Sequence, residues 1–421
     1  MGDRIRITKN GESYEGILIP RAEYGDEEHV LVKLGSGYNV GFQVTPDMKI
    51  EVIGTGAKPA FIRPPLPIEK TGLPKVAVVS TGGTIASRVD YRTGAVEPAL
   101  TAEDLYTVVP ELSNIAKIEA HILFSIFSEN MKAEHWKEIV KATAKQIEGG
   151  ADGIVVCHGT DTLGYTAAAL SFALQNLPVP VVLVGSQRSS DRPSSDAAPN
   201  LVGSTSIASK APFSEVVVAM HDWTSDEFIA IHRGTKVRKC HTSRRDAFKS
   251  INSPLLAKFN LASGNVETLT EDFARRDSAR KVLLNPNFDD RVALVKFHPS
   301  MNPQIIDWFV EKEYRGLILE GTGLGHVNQG CFKSIERAVE KKLVVGMTSQ
   351  CLWGRVNMNV YSTGRDLLSL GVIPLEDMLP ETALVKMMWA FGQANDGEEV
   401  KKIMLTNIAH EISPRRPDGE E

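Results

Sequence analysis

Continuous runs of apolar, mostly β-branched residues constrain the fold of this chain more than any other feature. The first three runs span residues 75–79, 153–157 and 179–184. A strand that is apolar throughout is buried on both faces, which is typical of a mostly parallel sheet covered by helices. Similar runs begin again near residue 290. The sequence therefore predicts an α/β fold with two units, a large one over residues 75–285 and a smaller one over residues 290–412.

The first 55 residues follow a different pattern, in which short strands are separated by turns. Predicted strands cover residues 4–7, 16–19, 29–34 and 49–53. Strands this short and closely spaced favour a small all-β barrel of the SH3 or Sm kind over residues 1–55. A Pro- and Gly-rich stretch over residues 56–74 then predicts a linker. The barrel could be a docking module or a stabilising cap.

Charge and cysteine content exclude several functional classes. With a net charge of -5 over 421 residues, the chain is not expected to bind nucleic acid alone, so another chain would hold any RNA. Its four cysteines form no C-x-x-C pair, so we expect neither a metal site nor disulfides. We find no signal peptide and no apolar run long enough to span a bilayer. A cytoplasmic protein without membrane contact is predicted.

Two hydroxyl-bearing turns follow predicted strands of the large unit. The first, T-G-G-T-I-A-S over residues 81–87, places Thr84 after two glycines. The second, H-G-T-D-T over residues 158–162, presents Thr160 beside the carboxylate of Asp161. Open α/β sheets bind ligands at the carboxyl ends of their strands. We therefore expect both turns to meet at one edge of the sheet.

These two turns resemble the signatures of the L-asparaginase/glutaminase family, and the similarity extends over about residues 75–410. The resemblance implies two asparaginase-like α/β domains and a threonine nucleophile. By position, Thr84 corresponds to the first nucleophile, while Thr160 and Asp161 correspond to members of a second triad. Lys239 matches the triad lysine, although Lys236 is close enough in sequence to be the alternative.

The same resemblance implies further site residues. Tyr91 matches the tyrosine of the family's mobile lid, and Ser128 matches a substrate-binding serine. Gly83 is expected to let the backbone approach the substrate. Glu129 stands where bacterial asparaginases often have Gln, which leaves the choice between glutamine and asparagine open.

The chemistry expected of these groups is amide hydrolysis through an acyl-enzyme. It needs a hydroxyl nucleophile, a base and backbone N–H donors for the developing oxyanion. A lysine can act as the base only when its surroundings lower its pKa. The sequence has no Walker-A loop, so this chain is expected to use no cofactor of its own.

The β module placed before the asparaginase-like body resembles one branch of the family, the glutaminase chains of archaeal Glu-tRNA(Gln) amidotransferases, known as D chains. That resemblance implies a tRNA-binding partner, the E chain, which uses ATP and Mg and receives the ammonia through a channel. It also implies a homodimer within a heterotetramer and contact with Glu-tRNA(Gln) only through the partner. Two alternatives stay open, an independent cytoplasmic L-asparaginase and a non-catalytic binding protein on the same fold.

Overall fold

The protein is represented by a computed structural model, in which the chain is described for the following residues: 3–19, 28–34, 39–55, 72–83, 85, 87–89, 96–98, 101–102, 105–106, 109–188, 195–394 and 396–415. Most of the predicted linker, over residues 56–71, lies outside this part of the chain, and so do Thr84 and Tyr91. Of the helices within these ranges, none combines the length and apolar character needed to cross a membrane.

The amino-terminal residues form the predicted all-β module. Its five strands are antiparallel and lie in the order β4-β3-β2-β1-β5. They are β1 (Arg4–Lys9), β2 (Glu12–Leu18), β3 (His29–Leu34), β4 (Asn39–Gln43) and β5 (Lys49–Gly54). Buried Ile5, Ile7, Val32 and Phe42 form its small core. Strand β4 was not among the predicted strands.

An eight-stranded sheet is the centre of the large unit, in the order β18-β17-β14-β13-β12-β10-β6-β9. The run from β9 to β13 is parallel, and β14, β17 and β18 extend it antiparallel. The strands are β6 (Lys75–Ser80), β9 (Lys117–Ile122), β10 (Gly153–Cys157), β12 (Val181–Val184), β13 (Val216–His221), β14 (Phe228–Arg233), β17 (Ala257–Asn260) and β18 (Val266–Thr268). The mostly parallel sheet predicted from the apolar runs is confirmed.

Helices cover both faces of this sheet, which explains why its strands are apolar throughout. Ala77 and Val79 of β6 pack with helices α1 (Ala133–Glu148) and α2 (Leu163–Ala173). The alternate residues Val76 and Val78 pack with helix α3 (Ala197–Lys210) on the other face. Each such valine contributes roughly 1.5–3 kcal/mol on burial. The two-sided burial holds the strand ends, and the turns that follow them, in fixed positions.

Several short strand pairs surround the main sheet. The pair that matters for the site is a hairpin of β15 (Val237–Lys239) and β16 (Phe248–Ser250). The others are β7 (Ser87–Val89) with β8 (Val96–Pro98) and β11 (Leu174–Gln175) with β19 (Leu283–Leu284). Single 3-10 turns occur at Pro110–Asn114, Ser128–Asn130 and Gln329–Cys331.

The smaller unit contains a four-stranded parallel sheet in the order β20-β21-β22-β23. Its strands are β20 (Val292–Lys296), β21 (Gly316–Gly321), β22 (Val344–Ser349) and β23 (Ile373–Pro374). Its helices are α4 (Gln304–Glu311), α5 (Phe332–Glu340), α6 (Ser362–Ser369), α7 (Pro380–Gln393) and α8 (Gly397–Leu405).

The two α/β units share one hydrophobic core. Helix α7 of the smaller unit packs on α2 of the large unit, where Phe172 and Trp389 stack with ring centroids 5.9 Å apart. Nearly every side chain of α2 is buried, because the sheet lies on one side of it and α7 on the other. The turn that begins α2 is therefore supported from both units.

Candidate active site

Three neighbouring strands of the large sheet end at the candidate site. Strands β6 and β10 are paired in register up to Ser80 and Cys157. Beyond them, the backbone N–H and the hydroxyl of Thr81 both donate to the Cys157 carbonyl at 3.0 Å. The turns that follow the two strands therefore lie side by side, as the sequence predicted.

Gly83 allows these two turns to touch. Its φ is +80°, a conformation that side chains disfavour, and a Cβ atom at this position would lie 2.9 Å from the backbone nitrogen of Gly159. Thr84, the predicted nucleophile, directly follows Gly83 but lies outside the described residues. The structure therefore fixes the residue before Thr84 against the second turn.

Lys239, Thr160 and Asp161 form a contiguous group. The Lys239 amine donates to the Thr160 hydroxyl oxygen at 2.8 Å and to the Asp161 carboxylate at 2.9 Å. Lys239 ends strand β15, so it reaches the turn from a hairpin outside the main sheet. The lysine side chain is 16% exposed, while that of Asp161 is 68% exposed. These three predicted residues are brought together.

The alternative lysine lies elsewhere. The Lys236 amine is buried and pairs with Asp377 of the smaller unit at 2.7 Å. Burial lowers the pKa of Lys236, and the charge of Asp377 opposes that effect. Of the two candidates, Lys239 is the one that contacts Thr160, and Lys236 connects the two α/β units.

His158 supports the second turn from below. Its Nδ1 lies 2.7 Å from the Gly159 carbonyl and its Nε2 lies 2.8 Å from the Thr166 hydroxyl. Thr166 accepts a hydrogen bond from Trp136, so its own proton points at Nε2. Burial lowers the pKa of His158 to about 4. The ring is therefore neutral and holds Gly159 in place through an Nδ1 proton.

Ser128, a predicted substrate-binding residue, lies beside the same turn. It is buried, and a Cβ atom on Gly159 would lie 2.8 Å from the Ser128 Cβ. The Thr162 hydroxyl donates to the Ser128 carbonyl at 2.6 Å. Glu129 is exposed in the same 3-10 turn. Ser128 thus borders the cluster, and Glu129 points a carboxylate into solvent at its rim.

The loop after β12 forms a third wall, to which the sequence assigned no role. A Cβ atom on Gly185 would lie 2.7 Å from the Thr160 Cγ2. Buried Asp196 holds the loop by accepting hydrogen bonds from the Ser186 hydroxyl and from the N–H groups of Gln187 and Arg188. A fully buried carboxylate with several donors is the kind of group that fixes a loop.

The arrangement suits acyl transfer better than metal chemistry. Within the described ranges, no three His, Cys, Asp or Glu side chains converge where a metal ion could bind. The cluster instead holds a hydroxyl, an amine and a carboxylate in contact, next to backbone turns that present N–H groups. Those are the groups that nucleophilic amide hydrolysis requires.

Family models match nearly the whole chain. The model described as "Asparaginase, N-terminal" matches residues 75–273, and "Glutaminase/Asparaginase C-terminal domain" matches residues 291–404. Residues 1–53 match the "GatD N-terminal domain". Both α/β units and the amino-terminal β module are thus each similar to a known domain.

Relatives of similar length share one description, the D chain of glutamyl-tRNA(Gln) amidotransferase. The protein from Pyrococcus furiosus is 53% identical over 98% of this chain and 95% of its own length. The one from Metallosphaera sedula is 53% identical over 99% of this chain and 93% of its own. The one from Methanopyrus kandleri is 50% identical over 100% of this chain and 93% of its own.

Solved structures of L-asparaginases share the fold of the two α/β units. The thermostable L-asparaginase from Thermococcus kodakarensis superposes with a TM-score of 0.72 at 35% identity, covering 81% of this chain and all of that one. L-asparaginase I from Vibrio cholerae gives a TM-score of 0.70 at 28% identity, covering 81% of this chain and 99% of that one.

Proposed function

The chain belongs to the glutaminase/asparaginase family and, within it, to the D chains of glutamyl-tRNA(Gln) amidotransferases, and from this premise we propose that it hydrolyses glutamine to supply ammonia to a partner. It is an asparaginase-type amidohydrolase that acts in tRNA-dependent amidation within a complex. The nucleophile, the identity of the partner and the preference for glutamine over asparagine belong to the proposal.

The proposed reaction has two steps. The hydroxyl of Thr84 attacks the side-chain amide carbon, and the C–N bond breaks to give a threonine ester and ammonia. Water then cleaves the ester, which releases glutamate and restores the hydroxyl. Tyr91 would close over the substrate, and Ser128 and Glu129 would hold its α-substituents.

Lys239, Thr160 and Asp161 are proposed to move the protons. A neutral Lys239 amine would accept the Thr160 proton over the 2.8 Å contact, while Asp161 orients the amine. Thr160 would in turn deprotonate the attacking group. General-base assistance of this kind contributes typically about 10²- to 10⁴-fold. Backbone N–H groups of the two turns are the candidate oxyanion donors.

A single observation carries this proposal. A lysine on a separate hairpin reaches a threonine hydroxyl and an aspartate on the turn that Gly83 contacts. An amine is otherwise best placed in water, and the burial of this one beside a hydroxyl has no evident structural purpose.

The partner is proposed to be a tRNA-binding chain, the E chain of the amidotransferase, that activates Glu-tRNA(Gln) with ATP and Mg. The glutaminase chain would need no cofactor, and its net charge of -5 agrees with leaving tRNA to the partner. We propose a homodimer of this chain within a heterotetramer. A cytoplasmic location is part of the same proposal, because tRNA amidation serves translation.

The test measures ammonia release from glutamine and from asparagine by the full chain, alone and with the partner and Glu-tRNA(Gln). Stimulation of glutamine turnover by the complex supports the proposal. Vigorous turnover of asparagine without a partner would indicate an independent L-asparaginase. Silence under both conditions would indicate a non-catalytic binding protein and would refute the proposal.

A further inference from the structure

A second histidine, His221, is buried at the end of strand β13 with both ring nitrogens in contact with oxygen atoms. Its Nδ1 lies 2.6 Å from the amide oxygen of Asn200, and its Nε2 lies 3.0 Å from a carboxylate oxygen of Asp226. Neutral imidazole has only one N–H group. The two contacts therefore decide the protonation of the ring.

The orientation of the Asn200 amide is fixed by its other contacts. Its nitrogen donates to the Gly185 carbonyl and to the Asp196 carboxylate, both at 3.0 Å. The atom that faces His221 is therefore the amide oxygen, which can only accept. An ionised carboxylate can also only accept. Both nitrogens of His221 must donate, and the ring carries two protons and a positive charge.

We propose that His221 is a positioning residue for the amidohydrolase reaction, an imidazolium that holds the loop against Thr160 and the loop beside Lys239 in register with each other. This inference rests on the proposed roles of Thr160 and Lys239. It concerns no contact with substrate, because His221 acts through Asn200 on one side and Asp226 on the other.

The Asn200 side reaches Thr160. Asn200 holds the carbonyl of Gly185, and Gly185 packs so closely on Thr160 that a Cβ atom would come within 2.7 Å of the Thr160 Cγ2. The same amide binds Asp196, which carries the rest of that loop. Loss of the His221 donor would free the Asn200 amide to turn, and Gly185 would lose its anchor.

The Asp226 side reaches Lys239. Asp226 pairs with Arg245 at 2.6 Å, and Arg245 lies in the loop between β15 and β16. That loop closes next to Lys239 through the hydrogen bond from Cys240 N–H to the Ala247 carbonyl, at 2.6 Å. The position of the lysine hairpin thus depends on the charge that Asp226 shares with His221 and Arg245.

The charges around His221 are consistent with an imidazolium. The charged groups facing it are Asp226 and, through hydrogen bonds, Asp196 and Arg245; the adjacent Asp222 is paired with Lys258 of β17. Partial burial raises the pKa of Asp226, but hydrogen bonds and charge from His221 and Arg245 outweigh it, so the pKa is lowered. An ionised Asp226 is the counter-ion that a buried cation needs.

Other buried histidines of the chain provide an internal contrast. Burial lowers the pKa of His158 to about 4 and that of His232 to about 3, so both rings are neutral near pH 7. Nitrogen-15 NMR of the full-length, histidine-labelled chain at pH 7 should show two protonated nitrogens for His221 and one for each of the others. An unprotonated nitrogen in His221 would overturn the proposal.

Kinetics of the complex test the positioning role. We expect His221→Gln and Asp226→Asn to lower kcat about 10- to 100-fold with a smaller change in KM, because a misplacement of about 1 Å costs on the order of 10²-fold. The matched control is Asp222→Asn in the same turn, which leaves His221 untouched and should keep kcat. Equal kcat for Asp226→Asn and Asp222→Asn would refute the positioning role.

The outcomes also separate this inference from the proposed function. If Lys239→Ala stays fully active, the proposed chemistry fails, whatever His221 does. If Lys239→Ala is inactive while His221→Gln has native kcat, only the positioning role fails. Should His221→Gln not fold, the NMR measurement on the unaltered chain and the comparison of the two aspartate variants still decide the question.

Discussion

Lys236 and Lys239 lie three residues apart and carry the same charged group, but the structure predicts opposite consequences when each is replaced. Lys239→Met should remove turnover and leave the fold intact. Lys236→Met should weaken the fold and leave the chemistry of the surviving molecules intact. Methionine keeps an apolar stem of similar length in both cases, so the comparison isolates the amine.

The stability cost at Lys236 follows from its burial. The side chain is 1% exposed and its partner Asp377 is 6% exposed, and breaking a buried pair costs about 3–5 kcal/mol. Asp377 keeps a hydrogen bond from the Ser413 N–H at 2.9 Å, so we expect the lower end, roughly 3 kcal/mol. With an unfolding entropy of about 2 cal/mol/K per residue, that lowers Tm by roughly 3 °C.

The activity cost at Lys239 follows from its contact with Thr160. Without the amine, the hydroxyl loses its base, and kcat should fall about 10²- to 10⁴-fold. The ion pair with Asp161 adds little to stability, on the order of 0–1 kcal/mol, because the carboxylate is mostly in water. Tm should therefore change by about 1 °C or less.

Two assays on the same preparations decide the matter. Ammonia release from glutamine is measured for the full chain with its partner at 25 °C, and thermal unfolding of the chain is followed by calorimetry. The reasoning would be refuted by an inactive Lys236→Met of native Tm together with an active Lys239→Met, since that result would exchange the two lysines.

Three further outcomes are expected. Gly83→Ala should lower kcat on the order of 10²-fold, because a Cβ there meets the neighbouring turn at 2.9 Å; Gly150→Ala has the same φ of +80° but open space around it, and its ammonia release should be unchanged. The pKa of His158 near 4, against an ordinary value of 6.5, means that the unfolded chain binds the proton first on acidification. Stability should thus be complete above pH 6.5 and fall by about 3 kcal/mol toward pH 4, and denaturant titrations of His158→Asn should lack this share. Adding Asp377→Leu to Lys236→Met should recover most of the lost Tm, because an apolar pair replaces a buried ion pair at little cost.

Local patterns predicted the sheet and the two turns because these depend on neighbours in sequence. A valine run needs no partner to indicate a buried strand, and two glycines before a threonine indicate a close backbone approach. Strand β4 was missed because Gly41 and polar neighbours interrupt its apolar pattern. The predicted roles of Thr84 and Tyr91 stay predictions, since both residues lie outside the described part of the chain.

Contacts between distant segments could not be predicted in the same way. Nothing in the spacing of Lys236 and Lys239 tells which one faces Thr160, because the difference comes from Asp377, far along the chain in the smaller unit. The buried network of Asp196, Asn200 and His221 was also missed. Each of these is an ordinary polar residue in sequence, and only folding removes it from water.

The helix that begins at the Thr160 turn, α2, is enclosed by the large sheet and by α7 of the smaller unit. As a result, neither half can be expressed usefully without the other, because a truncated large half would expose an apolar helix at its own catalytic turn. Calorimetry should record the two halves melting in one transition. Substrate entry cannot depend on swinging the halves apart, so any opening must come from surface loops.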